Sequence, residues 1–218
     1  MILLIEDRAE RQKHFMSETN IDLNTYSDTL DNMSKEKYQK FLLDIKTDTF
    51  DLDKYTVIIS HKSAFGDDNI DILQKLERHC KLNQKPLVLF SGGIDTNYYE
   101  NIDFELLELN SKLFYSENLK LFLNENNEDI PNILTLAYGK QWKLNILLNV
   151  LEKINLKIEQ NEKMPYKIFH LEAMYYLLED LGMELYSPAV DNKIITKDEM
   201  KKVALDLEKF IEKEIIYA

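Results

Sequence analysis

The segment Met1–Arg8, MILLIEDR, decides the fold of the first part of this chain. Five apolar residues run without interruption and are followed directly by Glu6, Asp7 and Arg8. An unbroken apolar run is typical of a strand that is buried on both faces of a parallel sheet. The ligand crevice of such a sheet lies at the carboxyl ends of its strands, so Glu6 and Asp7 become candidate site residues.

Four further segments with strand character follow, at intervals that leave room for helices. They are Asp22–Asp28, Tyr55–Ser60, Leu87–Phe90 and Lys112–Tyr115. Parallel neighbours need crossover connections, and these are right-handed. We therefore expect an α/β fold with a doubly wound, five-stranded parallel sheet. The stretch Thr96–Asn110 stays open between a helix and an edge strand over its FELLEL sequence.

Helical periodicity fills the intervals between the strands. One helix is predicted over Arg8–Glu18, a second begins at a Ser34 cap, and a third runs through Cys80. The apolar side of the second helix repeats at helical spacing through Tyr38, Phe41, Leu42 and Ile45. The third helix places Asn69, Leu73, Leu76 and Cys80 on one side. We expect Cys80 to be a small buried hydrophobe rather than a reactive thiol.

A polar, proline-containing segment divides the chain near residue 130. The sequence predicts an α/β domain over 1–123, a linker over 124–131 and a helical bundle or extension over 132–218. A heptad seam runs through Ala137, Lys140, Leu144, Leu147, Leu151, Ile154 and Ile158. A second helix is predicted through Ile168, Leu171, Tyr175 and Leu178, with Gly182 as its cap. Thr196 and Glu199 form a capping box for a third helix, with Met200, Val203, Leu207 and Phe210 inside.

The composition restricts the classes of partner. Acidic residues outnumber basic ones 39 to 27, which gives a formal net charge of −12. Such a surface repels phosphate backbones and anionic headgroups, so we expect neither nucleic-acid nor membrane binding. The single cysteine excludes an internal disulfide and a multi-cysteine zinc site, and it suits a reducing cytoplasm.

The phrase ILLIEDR resembles the opening of response-regulator receiver domains, in which two adjacent acids after the first strand bind magnesium. Glu6 and Asp7 stand at those positions. The third predicted strand ends where the receiver family has its phosphoacceptor aspartate. The fourth, LVLFSGG, ends in Ser91, which matches the family's hydroxyl residue that contacts the phosphoryl group. The resemblance extends to about residue 123 in the order of elements.

Two departures from the receiver pattern bear on mechanism. The phosphoacceptor position holds His61, or Ser60 if the strand shifts by one, and Ser116 and Glu117 replace the family's Lys-Pro. Phosphotransfer in that family needs a carboxylate nucleophile with magnesium beside it. The resemblance therefore implies an atypical or pseudo-receiver without ordinary aspartyl phosphorylation.

Each candidate site residue has a structural alternative that the sequence leaves open. Glu6 and Asp7 either hold a divalent cation or interact favourably with the positive end of the dipole of the first helix. His61 is either an acid–base, metal-ligating or phosphohistidine residue, or a histidine satisfied by a backbone carbonyl. For a Ser–His pair, Ser63 or Ser91 is geometrically easier than Ser60. Ser91, Gly92 and Gly93 either present amides to an anion or form a turn.

These observations lead to two hypotheses about function. The first is a non-enzymatic signalling or regulatory module of pseudo-receiver type, which binds a protein partner or forms a homodimer through its helices. The alternative is a metal-dependent hydrolase or transferase that acts on a phosphorylated or nucleotide ligand. There Glu6 and Asp7 would bind Mg²⁺, His61 would do acid–base work, and Ser91–Gly93 would hold an anion. The first hypothesis requires no cofactor and allows Mg²⁺.

Overall fold

The chain forms two compact units, Met1–Lys140 and Gln141–Ala218. The computed structural model describes residues 1–30, 35–66, 69–95, 97–101, 103–125, 132–162, 164–165 and 194–217. Most of the expected linker, 124–131, lies outside these residues, so the predicted limits 1–123 and 132–218 stay a prediction. The Ser34 cap and the helix expected through Ile168 and Leu178 also lie outside the described residues.

A six-stranded, mostly parallel sheet forms the centre of the first unit. Its strands are β1 (Ile2–Ile5), β2 (Ser27–Leu30), β3 (Val57–His61), β4 (Leu87–Ser91), β5 (Tyr98–Asn101) and β6 (Glu105–Asn110). The strand order is β2-β1-β3-β4-β6-β5. Only the edge strand β5 runs antiparallel, against β6. The coarse prediction of an α/β fold with strands and crossover helices is confirmed.

The central strands are buried because their sequences are continuously apolar. All four residues of β1 and all five of β3 are buried, as are the first four of β4. Strands with apolar side chains on both faces require cover on both faces. The sheet therefore needs helices above and below it.

Helices occupy both faces of the sheet. They are α1 (Ala9–Thr19), α2 (Lys35–Lys46), α3 (Ile70–Asn83), α4 (Ser111–Phe114), α5 (Glu117–Glu125) and α6 (Leu134–Tyr138). On one face α2 and α3 share a buried cluster with Leu3, Ile58 and Leu89. On the other face Phe90 stacks on Phe114, and Tyr115 contacts both rings.

The strand expected over Lys112–Tyr115 is wrong, because this segment is helical. The Asn110 side chain accepts the backbone N–H of Lys112 at 2.9 Å and so starts α4. The backbone N–H of Tyr115 closes the turn onto the carbonyl of Ser111 at 3.1 Å. The last parallel strand is instead β6, which contains most of FELLEL and pairs with β4. The sheet thus has six strands rather than five.

The second strand lies later than expected. Asp22 accepts the backbone N–H of Asn24 at 3.0 Å and begins a 3₁₀ turn over Leu23–Thr25. The strand follows only at Ser27–Leu30, where it pairs with β1. Among the described residues of the first unit, the predicted strands Met1–Ile5, Tyr55–Ser60 and Leu87–Phe90 lie within two residues of β1, β3 and β4.

The second unit contains two long helices and a short ladder. Helix α7 spans Trp142–Glu159 and α8 spans Lys197–Tyr217, and the two pack against each other. Strands β7 (Met164–Pro165) and β8 (Ile194–Ile195) pair antiparallel, so an all-helical C-terminal region is not confirmed. Among the described residues, no helix has the length and apolarity needed to cross a membrane.

The heptad seam is only partly the buried face of the second unit. The buried residues of α7 are Ile146, Leu147, Val150 and Ile154, whereas Leu144, Leu151 and Ile158 are half-buried. Ala137 lies in α6 and Lys140 in the turn after it, before α7 begins. The predicted capping box is confirmed, since Thr196 Oγ1 accepts the N–H of Glu199 and the Glu199 carboxylate accepts the N–H of Thr196.

Candidate functional site

The carboxyl ends of β1 and β3 bring Glu6, Asp7 and His61 together. Ile5 pairs with Ser60 in the parallel ladder, so Glu6 and His61 follow side by side. One ligand atom from each of the three residues lies within 4.8 Å of the others. This acid–histidine cluster is the candidate site.

Arg11 places a positive charge against both acids. Helix α1 begins at Ala9, two residues after Asp7, and its first turn returns Arg11 toward Asp7 at i, i+4 spacing. Arg11 Nη1 lies 3.2 Å from Glu6 Oε1 and 3.6 Å from Asp7 Oδ1. The Arg11 side chain is three-quarters buried, which limits screening by solvent.

Both oxygens of the Glu6 carboxyl group have protein partners. Tyr115 donates its hydroxyl to Oε2 at 2.7 Å, and the backbone N–H of Arg8 donates to Oε1 at 3.1 Å. The Glu6 side chain has no exposed surface. Glu6 therefore assists the start of α1, as the helix alternative expects, while it also belongs to the acid–histidine cluster.

The pKa values of the two acids shift in opposite directions. Burial and the hydrogen bond with Asp7 raise the pKa of Glu6 to about 7. Burial opposes ionisation of Asp7 as well, but the Glu6 hydrogen bond, the His61 ring, Ser63 and Arg11 together lower the pKa of Asp7. Two adjacent carboxyl groups in a buried place favour one shared proton, which Glu6 binds as the pH falls below about 7.

His61 is buried and directs its Nδ1 toward polar neighbours. This nitrogen lies 3.2 Å from Asp7 Oδ1 and 2.9 Å from Ser63 Oγ. Burial lowers the pKa of His61, so the ring is neutral at pH 7. The backbone N–H of Ser63 donates to Nδ1 at 3.3 Å, so in the neutral ring Nδ1 is the acceptor and Nε2 carries the proton. Nε2 is buried and has no hydrogen-bond partner among the described residues, and neither has Asp7 Oδ1.

The serines near His61 have separate roles. Ser63 is exposed and donates its hydroxyl to Asp7 Oδ2 at 3.1 Å. Ser60 is buried and donates to the backbone carbonyl of His61 at 3.2 Å. A nucleophile–base–acid relay needs serine and acid on opposite ring nitrogens, whereas Ser63 and Asp7 both face Nδ1. The arrangement is a hydrogen-bonded cluster and not a catalytic triad.

The donor set does not fit the magnesium ion that the receiver resemblance implies. Magnesium prefers a near-octahedral shell of oxygen ligands, and the third group here is an imidazole. The Arg11 guanidinium already contacts Glu6 and Asp7, and both oxygens of Glu6 accept hydrogen bonds. A glutamic acid with a pKa of about 7 must also lose its proton before it can bind a metal, which weakens metal binding.

Ser91, Gly92 and Gly93 form a turn at the end of β4. Ser91 Oγ accepts the N–H of Gly93 at 3.4 Å, and Asn110 Nδ2 donates to the carbonyl of Ile94 at 2.9 Å. A Cβ at either glycine would meet nothing within 4 Å, and neither glycine has a positive φ. In the described part of the chain, no hydrogen bond or ion pair joins this turn to Glu6, Asp7 or His61.

Arg11 and Tyr115 are the members of the site that the sequence did not indicate. The i, i+4 spacing from Asp7 to Arg11 was a usable signal, because residues four apart are neighbours on a helix. Tyr115 gave no such signal, since its place depends on the turn of α4.

Comparison of the chain with protein-family models, with curated proteins and with solved structures found no match.

Proposed function

We propose that this chain is a non-enzymatic regulatory module of pseudo-receiver type, which acts by binding a protein partner or by dimerising through its helices. The observation that carries the proposal is that a positively charged side chain of this chain lies against the acid pair. Arg11 lies against Glu6 and Asp7, where a receiver would hold its cation. His61 replaces the acceptor carboxylate and is 4% exposed.

The order of the parallel strands also supports a receiver-like arrangement. Counted along the chain, the five parallel strands lie in the order 2-1-3-4-5, with β5 as an added antiparallel edge. That order is typical of the flavodoxin-like class, to which receivers belong. In such a sheet the strand ends that carry Glu6 and His61 border the crevice.

A binding role agrees with the closed state of this crevice. The buried carboxyl of Glu6 and the buried ring of His61 are held by protein groups, so little of the cluster is open to a substrate. Exposed leucines remain on both long helices of the second unit: Leu148, Leu156 and Leu205. Such side chains supply apolar area to a protein interface.

The test is an amide NMR titration of the full chain with Mg²⁺, followed by beryllofluoride as a phosphoryl mimic. We expect no saturable shifts at Glu6, Asp7 or His61 at millimolar ligand. We expect the double variant Arg11→Ala/His61→Asp to gain Mg²⁺-dependent beryllofluoride binding. That variant removes the internal cation and supplies a third carboxylate, which together recreate an oxygen-rich site.

The matched control is Arg11→Ala/His61→Asn, which removes the same cation without adding a carboxylate. It should bind beryllofluoride no better than the natural chain. Saturable binding by the natural chain, or its covalent labelling by acetyl phosphate, would reject the pseudo-receiver proposal in favour of the metal-dependent enzyme. Failure of both variants to bind, with their folds intact, would contradict the receiver-like origin of the crevice.

A further inference from the structure

A surface cavity lies at the opposite edge of the sheet from the acid–histidine cluster. It is open to solvent and has a volume of about 490 Å³ between residues 48–53, which lead into β3, and the second half of α3. This edge carries the amino ends of the strands, whereas Glu6 and His61 lie at their carboxyl ends. The volume lies within the range of small-molecule sites.

The wall formed by residues 48–53 is fixed before any ligand arrives. Lys75 of α3 donates to the carbonyls of Ile45 at 3.2 Å and Lys46 at 2.6 Å, and to Asp48 Oδ1 at 2.9 Å. Lys85 donates to the carbonyls of Leu52 at 3.2 Å and Asp53 at 2.9 Å. A pre-formed wall lowers the entropy that a ligand must overcome on binding.

Two of the three aspartates around the cavity have basic neighbours. Asp48 pairs with Lys75, while Asp53 lies 3.8 Å from His79 Nε2 and 3.9 Å from Lys85 Nζ. Two further charged residues line the cavity, Asp51 on the loop wall and Arg78 on α3. Within the described residues neither of them forms an ion pair. Both side chains are exposed, and Asp51 Oδ1 already accepts the backbone N–H of Asp53 at 3.1 Å. The cavity therefore offers the second carboxylate oxygen of Asp51 and the guanidinium of Arg78 to a ligand.

Apolar side chains complete the lining. Phe50 and Leu52 are half-buried and pack against the core below, and Leu82 contributes a side chain that is 75% exposed. An exposed leucine beside a concave apolar surface loses water contact when a ligand covers it. The cavity thus combines an apolar surface with charges of both signs.

We propose that this cavity binds a free amino acid with an apolar side chain. Its carboxylate pairs with Arg78, its ammonium group pairs with Asp51, and its side chain covers Phe50, Leu52 and Leu82. A phosphate ion would face three aspartates, and a simple cation would face Arg78 and Lys75. A zwitterion satisfies both free charges at once, because each pairs with a group of opposite sign. The inference is independent of the proposed function.

The test is an amide NMR titration of the full chain with L-leucine and, separately, with L-phenylalanine. We expect saturable shifts over residues 48–53 and 75–82, and none at Glu6 or His61. N-acetyl-L-leucine lacks the ammonium group and L-leucinamide lacks the carboxylate. Each should bind about tenfold more weakly than L-leucine, the loss expected for one charged hydrogen-bonded contact.

Two variants assign each charge to its partner. Arg78→Gln should weaken L-leucine about tenfold but leave L-leucinamide unchanged, whereas Asp51→Asn should weaken L-leucine about tenfold but leave N-acetyl-L-leucine unchanged. The matched controls are Lys81→Gln and Asp71→Asn, which alter exposed charges of α3 outside the cavity lining. They should leave the affinity unchanged.

Three results would overturn the proposal. One is the absence of saturable shifts with both amino acids. Another is equal affinity for L-leucine and its two singly charged analogues. The third is that the folded variants Arg78→Gln and Asp51→Asn bind L-leucine with the same affinity as the natural chain. If a variant fails to fold, the analogue series on the natural chain still decides between these outcomes.

Discussion

At the scale of single residues, Glu6 links the protonation of the site to the stability of the fold. Its pKa is about 7 in the folded protein against an ordinary value of 4.5. The folded state binds this proton more tightly, so the contribution is fully present below pH 4.5 and is lost as the pH rises to about 7. Glu6→Gln should abolish this loss, which amounts to at most about 3 kcal/mol. Urea unfolding at about pH 5 and about pH 8 measures it.

The comparison must be made as a difference between the natural chain and the variant. Burial lowers the pKa of His61, so its contribution to stability rises with pH and opposes that of Glu6. Subtracting the two pH profiles removes the His61 contribution to first order. Glu10→Gln, an exposed acid in the first turn of α1, is the control and should keep the natural profile. Identical profiles for Glu6→Gln and the natural chain would contradict a raised pKa at Glu6.

Tyr115, which directly follows α4, connects that helix to the acid pair through one hydrogen bond. Tyr115→Phe keeps the ring contacts with Phe15, Phe90 and Phe114 but removes the 2.7 Å bond to Glu6. We expect a loss of about 2 kcal/mol in the free energy of unfolding. The pKa of Glu6 should also rise further, because this bond favours its ionised form. Urea unfolding and carboxyl ¹³C NMR measure the two effects.

The control for Tyr115→Phe is Tyr26→Phe, whose hydroxyl makes a 3.5 Å contact with Asn124 at an exposed place. It should change stability by less than about 0.5 kcal/mol. Equal losses for the two variants would mean that Tyr115 stabilises the fold only through its ring. An unchanged pKa at Glu6 in Tyr115→Phe would contradict its role in the site.

The sequence could bring together only those site residues that follow buried strands. Glu6 and His61 come directly after apolar runs, and parallel strands end at one edge of the sheet. Arg11 lies on a helix whose rotation relative to the sheet is not encoded in strand patterning. Tyr115 depends on the Asn110 cap that turns Ser111–Phe114 into a helix. Local polar contacts of this kind leave little trace in hydrophobic periodicity.

At the scale of elements, the capping box makes the start of α8 separately testable. Thr196 and Glu199 exchange backbone and side-chain hydrogen bonds across the first turn. Thr196→Ala should destabilise the second unit by about 1 kcal/mol, since it leaves a helix N–H group without its acceptor. Thermal unfolding followed by circular dichroism measures the change. Glu199→Gln retains the box geometry and should cost much less; equal losses would exclude the reciprocal cap.

The difference between β1 and the β5–β6 hairpin shows which elements a sequence specifies. Ile2–Ile5 is apolar throughout, so burial on both faces follows without knowledge of its neighbours. In β6 buried Leu107 and Leu109 alternate with half-buried residues, whereas Leu106 and Leu109, which are three apart, also satisfy a helical period. Its strand state depends on pairing with β4 and β5, which are distant contacts. The strand prediction over Lys112–Tyr115 was wrong for a related reason, because a segment of four residues is too short to show a hydrophobic period.

At the scale of the whole molecule, the described clusters that build the core of the sheet unit lie within that unit. The buried cluster beneath α2 and α3, the aromatic group around Phe90 and the acid–histidine cluster all lie within 1–140. A fragment of residues 1–140 should therefore fold cooperatively and keep the amide signals of Glu6, Asp7 and His61. A fragment of residues 1–110 is the control and should not fold, because it lacks Phe114, Tyr115 and the helices after β6. An unfolded 1–140 fragment, or a folded 1–110 fragment, would show that the boundary of the folding unit lies elsewhere.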